Sequence, residues 1–185
     1  MWGWAIVFVR YHTNESENWM SGAHTLNETE RQVENKLSGM TLDFDSMAAV
    51  SNIFRAANAT RNYLERTVLG PHELSWTGFV VLWVSWIWEP IETRVIAEEG
   101  GFSKATLTGV LQTLEGKGYL KREPGTGDKR LVIVTLTPKG RTLMKKLFPD
   151  FNTHEQQVLS GFSKAEKREL TVALRKITAF TEAQD

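Results

Sequence analysis

The chain has 185 residues, no net charge, 41% hydrophobic and 24% charged side chains, a length and composition that suit one globular domain with an extension. It has no cysteine, which excludes disulfide scaffolds, cysteine-ligated zinc or iron–sulfur sites and thiol redox switches. Nowhere does an apolar run reach the roughly 20 residues that a membrane span needs, so no membrane partner is expected.

The opening run Trp2 to Val9 is apolar but short, with neither a basic leader nor a small-residue cleavage site. It does not read as a signal peptide, and the expected location is the cytoplasm. The sequons at Asn14, Asn27 and Asn58 then have no glycosylation to serve. Residues 1–40 read as an N-terminal extension of open role: a polar loop from Thr13 to Gly22, then a short helix opened by the capping box Thr25-x-x-Glu28.

From Asp45 a long helix is expected. Met47, Val50, Phe54, Ala57, Arg61, Leu64 and Val68 recur at helical spacing until Gly70-Pro71 stops the pattern. Ser75 caps a second helix running to Trp88, apolar nearly all round and so expected to be buried centrally. Two short helices follow, Ile91–Glu99 and Ser103–Lys117, separated by Gly100-Gly101. Tyr119–Glu123 and Leu131–Leu136 read as two strands of a hairpin, joined by a turn-rich stretch from Pro124 to Lys129. Thr137-Pro138 starts another helix, and helices continue to the end with breaks near Pro149 and Gly161 and a capping box at Ser163-x-x-Glu166.

Charge is unevenly spread. Residues 1–45 carry three basic and seven acidic side chains, whereas residues 101–141 carry eight basic and three acidic, net +5. A basic block in a neutral chain is the footprint of a polyanion-binding face. From Ile91 to Leu136 the order is helix, glycine turn, helix, hairpin, which is that of a winged helix-turn-helix. In Ser103–Lys117 the core side is Leu107, Val110 or Leu111, and Leu114, leaving Lys104, Ala105, Thr108, Gly109, Gln112 and Thr113 outward. Small and hydroxyl residues allow close approach to a major groove, and Lys104 and Gln112 have the length to reach phosphate or base. The fold class expected is mainly α with a small β-hairpin wing.

Three stretches carry a family resemblance: Ser103 to Leu120 as recognition helix and exit, Asp128-Lys129-Arg130 as an Asp-x-Arg wing tip, and Leu136-Thr137-Pro138-Lys139-Gly140 as the following helix start. Together the chain resembles the MarR (multiple antibiotic resistance regulator) family from about Asp45 to Ala183. The resemblance implies a DNA-binding transcriptional regulator, not an enzyme, with a DNA-binding lobe over 75–141 and dimerisation helices over 45–70 and 142–185. It implies DNA contacts from Ser103, Lys104, Thr106, Thr108, Gly109, Gln112 and Thr113, and from Asp128, Lys129 and Arg130 in the wing. Arg130 would enter the minor groove, oriented by Asp128.

Family members are usually dimers. The C-terminal apolar residues, from Phe148 and Phe151 through Leu170, Leu174, Ile177 and Phe180, exceed what one thin helical layer buries, so double-stranded DNA and a second copy of the chain are the expected partners. A repressor on a palindromic operator, released by a small aromatic or phenolic effector, is the full expectation. Phe54, Arg61, His72, Trp76, Phe79, Trp83 and Trp86 are candidates to line the effector site, and the same tryptophans also read as core. The alternative function is a winged-helix module for protein–protein assembly without ligand sensing. No cofactor or metal is expected: the four histidines, His12, His24, His72 and His154, lack ligand spacing, and no phosphate-cradling loop or nucleophile elbow is present.

Overall fold

The computed structural model describes residues 24–125, 127–128 and 130–184. The apolar opening, the polar loop Thr13 to Gly22, the sequon at Asn14, His12 and the wing residue Lys129 lie outside them. The described residues divide into two units, one up to Ala57 and one from Asn58 onward.

In the first unit, helix α1 (Leu26–Leu37) opens on the expected capping box. The Thr25 hydroxyl accepts from Glu28 N–H at 3.1 Å, and the Glu28 carboxylate accepts from Thr25 N–H at 2.9 Å. These bonds satisfy two amides that the first helical turn leaves without partners. Helix α2 (Phe44–Leu64) begins in this unit, where Asn52 donates to Glu30 at 2.7 Å. Its Met47, Val50 and Phe54 are exposed.

The second unit takes in the end of α2, which passes into one π-helical turn (Glu65–Leu69) and a 3-10 turn (Gly70–His72) before stopping. Helix α3 (Trp76–Trp88) is capped twice: the Ser75 hydroxyl accepts from Gly78 N–H, and Glu65 accepts from Trp76 N–H at 3.0 Å. Next come β1 (Ile91–Glu92), α4 (Thr93–Gly100), α5 (Lys104–Gly116), β2 (Leu120–Pro124), β3 (Val132–Leu136), α6 (Pro138–Val158) and α7 (Lys164–Glu182). The strands form one antiparallel sheet in the order β1-β3-β2, with Ile91 opposite Val134 and Arg122 also opposite Val134 on the other side. A single buried cluster joins Leu64, Val68 and Leu69 to α3, α4, α5, the sheet and Met144, Leu147 and Phe151 of α6. Among the described residues no helix is long and apolar enough to cross a membrane.

Three expectations are corrected. Ile91 and Glu92 are the third strand of the sheet rather than the start of a helix, because they pair with β3 while Thr93 begins α4. Pro149 does not break the C-terminal helix: α6 runs through it. A mid-helix proline costs about 3 kcal/mol, but the flanking rings hold the helix on both sides of it. Phe148 stacks on Trp83 and Phe151 on Phe79, each at 4.3 Å between centroids. Such pairs contribute about 0.5–1.5 kcal/mol each beyond the area they bury. Helix α3 is also not buried all round. Its last turn reaches past the core, leaving Ile87 exposed and Trp88 65% exposed.

One contact sets the geometry at the root of the hairpin. A β-carbon on Gly140 would overlap the Tyr119 carbonyl oxygen, a backbone atom with no side-chain freedom to yield. Gly140→Ala is therefore expected to destabilise the protein by upwards of about 3 kcal/mol, read as a lowered urea midpoint. An unchanged midpoint would show that the two backbones separate freely.

Candidate nucleic-acid interface

Helix α5 owes its placement to its sequence. Gly101 closes α4 in the left-handed conformation at φ 64°, and Phe102 N–H bonds back to the Ala97 carbonyl at 2.9 Å. Ser103 then caps α5, its hydroxyl accepting from Thr106 N–H at 3.1 Å. Leu107, Leu111 and Leu114 are buried, and Val110 is half-buried at the edge, so Leu111 is the middle residue of the core face. Burying three leucines fixes the helix rotationally, at about 1.5–3 kcal/mol each.

That rotation leaves the opposite face open. Ser103, Lys104, Ala105, Thr106, Thr108, Gly109, Gln112 and Thr113 are all exposed. The Thr108 hydroxyl donates to the Lys104 carbonyl (2.8 Å) and Thr113 to that of Gly109 (3.0 Å), so each offers a methyl group and an acceptor outward. No atom outside its own helical backbone lies within 4 Å of where a Gly109 β-carbon would stand.

At the wing tip, Arg130 donates to Asp128 from Nε (3.1 Å to Oδ1), Nη2 (2.9 Å to Oδ2) and its backbone N–H (2.9 Å to Oδ1). Its side chain is 90% exposed. The Arg130 side chain, then its backbone N–H, holds the Asp128 carboxyl below its usual range, while the Asp128 contact pushes the Arg130 guanidinium up. Both groups are therefore ionised at neutral pH.

Several positioning groups escaped the sequence reading. Glu115 pairs with Arg122, joining the end of α5 to β2, with Arg122 Nη2 at 2.6 Å. Hydrogen bonding from the Arg122 guanidinium holds the Glu115 carboxyl below its usual range. Glu89, at the end of α3, accepts from Leu136 N–H (2.8 Å) and from Arg141 (2.8 and 2.9 Å), tying α3, β3 and α6 together. Lys117 donates to the carbonyl and carboxylate of Glu73, which caps the 3-10 turn at φ 53°. The only hint in sequence is opposite charge bracketing a glycine turn, as in Glu115 and Arg122 around Gly116 and Gly118.

Of the candidate effector residues, Trp76, Phe79, Trp83 and Trp86 come together on α3, but with Phe148 and Phe151 of α6 packed against them. Arg61 is exposed and bonded to Asn58, His72 is exposed, and Phe54 lies on α2 in the first unit. His154 sits 3.7 Å from Asp150, and among the described residues no group of three metal-ligating side chains converges.

Comparison with known proteins places this geometry. The MarR family model matches residues 74–132. YwaE of Bacillus subtilis (strain 168), described as an uncharacterized HTH-type transcriptional regulator, is 36% identical over 155 residues, 82% of this chain and 91% of YwaE. The chain belongs to the MarR family. It is accordingly a DNA-binding transcriptional regulator, not an enzyme. Among MarR-like solved structures, BpsR of Bordetella bronchiseptica, whose DNA binding is regulated by 6-hydroxynicotinic acid, superposes with a TM-score of 0.65 at 25% identity, over 70% of this chain and 98% of that one. The MepR–DNA complex of S. aureus shares the fold, with a TM-score of 0.64 at 20% identity over 70% and 96% of the two chains.

Gly109 lies in the middle of the exposed face of α5, and this gives opposite expectations for stability and binding. Gly109→Ala should stabilise the fold by about 0.5–1 kcal/mol through helix propensity. If this face enters a DNA groove, the added methyl should weaken duplex binding by about 1 kcal/mol or more. Urea unfolding and fluorescence anisotropy on one preparation test both, and unchanged binding would take Gly109 out of the interface.

Proposed function

We propose that this regulator is a dimeric repressor acting in the cytoplasm. It reads a palindromic operator with α5 in the major groove and Arg130 in the flanking minor groove. The observation that carries the reading is the division of α5: three leucines seated in the core, and a face of small and polar residues left exposed within the most basic stretch of the chain. Lys104 and Gln112 supply length on that face, Lys104 toward phosphate and Gln112 toward a base edge, where a bidentate amide pairs with adenine. Arg130, permanently charged and planar, suits a narrow minor groove where negative potential concentrates. Lys129 belongs to the same basic tip in sequence.

Dimerisation has its own support. Every described residue of α7 is exposed or half-buried, although it carries Val172, Leu174, Ile177 and Phe180. Met47, Val50 and Phe54 on α2 are likewise open to solvent. A second copy covers such surfaces, and two-fold operators require paired recognition helices about one DNA turn apart. A sedimentation mass of one chain, 21.0 kDa, would contradict this.

Arg130→Ala is expected to weaken binding of a duplex selected from a random pool by about 1–3 kcal/mol with circular dichroism unchanged. Unchanged affinity removes Arg130 from the interface.

The effector is a small aromatic acid or phenol that binds beside α3 and prefers the DNA-free conformation, since a ligand without preference shifts nothing. The half-buried Trp76, Trp83 and Trp86 support this reading, as does the regulation of the similar BpsR by 6-hydroxynicotinic acid. Titration with hydroxynicotinic and hydroxybenzoic acids should change tryptophan fluorescence and release labelled duplex over the same concentration range. A panel that moves neither signal ends the aromatic reading.

A further inference from the structure

We infer that Glu115 and Arg122 form a positioning brace that sets how the wing reaches DNA, an inference that rests on reading Arg130 as the wing's contact. The hairpin is rooted where Leu120, Val134 and Leu136 are buried, and it leaves the core at Arg122. Beyond that rung, Glu123, Pro124 and Val132 are exposed, two residues farther out or about 7 Å by strand rise. Between the end of α5 and this outer part of the hairpin lies an open groove of about 340 Å³ lined by Glu115, Arg122, Glu123, Pro124 and Val132. Side-chain packing does not fill that gap, so polar bonds across it do the holding.

Three bonds converge on the Glu115 carboxylate. Arg122 Nε (3.0 Å) and Nη2 (2.6 Å) both donate to Oε2, and Arg122 backbone N–H donates to Oε1 at 3.1 Å. One carboxylate therefore fixes both the strand backbone and the arginine fork to the last turn of the recognition helix. The arrangement is directional, because the planar guanidinium aims Nε and Nη2 together at one carboxylate oxygen while the backbone N–H takes the other. Neither side chain is buried, at 29% and 36% exposed, so losing the pair frees the hairpin to tilt without unfolding the lobe. Such a tilt acts on the tip, where Arg130 sits.

The test is a double-mutant cycle on duplex DNA enriched from a random pool by the wild-type protein. E115Q keeps the shape and one acceptor but removes the charge. It is expected to weaken binding roughly fivefold or more, and R130A roughly 5- to 150-fold. The double variant should bind no more weakly than R130A alone, because a brace acting through Arg130 has nothing left to position. A merely structural role predicts multiplied losses instead. Multiplied losses, or E115Q binding like wild type while R130A is impaired, would overturn the brace and leave the Arg130 reading standing. R130A binding like wild type would overturn both. If E115Q loses its circular dichroism signal, R122K, which keeps the charge and removes the fork, takes its place in the cycle, and the same outcomes support or overturn the brace.

Discussion

Two backbones meet at Tyr119 and Gly140 with no room for one more carbon, and helix α5, the hairpin and α6 are built out from that contact. Three paths converge there. Helix α5 leaves through Gly118 at φ 73°, a left-handed turn that favours glycine. The hairpin returns to Thr137, whose N–H donates to the Tyr119 carbonyl at 3.0 Å and whose hydroxyl donates to that of Gly118 at 2.7 Å. Helix α6 starts on top, with Lys139 above the Tyr119 ring and donating to the Lys117 carbonyl. The angle between helix and wing is therefore set first at their common root.

From this root outward, control passes from packing to charge. Leu107, Leu111 and Leu114 seat the helix, while Leu120, Val134 and Leu136 seat the hairpin. Ion pairs add to this packing, Glu89 with Arg141 at the root and Glu115 with Arg122 farther out, and none of the four is among the exposed residues of α5. Glu89 satisfies a strand amide and an arginine at once, so truncating it would leave the Leu136 amide without this partner, at a cost of about 1–3 kcal/mol. A surface that must match groove geometry needs such supports, since small displacements misalign base contacts.

Much of this was legible in the sequence because it depends on local chemistry. Ser75, Ser103, Thr137 and Ser163 are N-caps in the structure as their residue types predict, and the leucine spacing of α5 separates its core side from its open side. What was not legible depends on partners distant in the chain. Ile91-Glu92 is too short to show a strand period and is a strand only because β3 lies beside it. Pro149 reads as a stop until Trp83 and Phe79 are seen stacked on its neighbours. Glu89 and Arg141 are 52 residues apart, a pairing that no local pattern reveals. The basic stretch is visible in the order of charges along the chain, but that order does not distinguish Arg122, committed to Glu115, from Arg130, exposed at the tip.

On the proposed reading, the exposed face of α5 and the Arg130 wing tip together grip a two-fold DNA site. Hydroxyl-radical footprinting on a duplex selected by the protein tests it most directly, because cleavage reports on minor-groove access. Two minor-groove tracts protected by the wings are expected, related by a dyad and flanking two major-groove half-sites about one helical turn apart. A single protected tract, or protection spread evenly along the duplex, would contradict it.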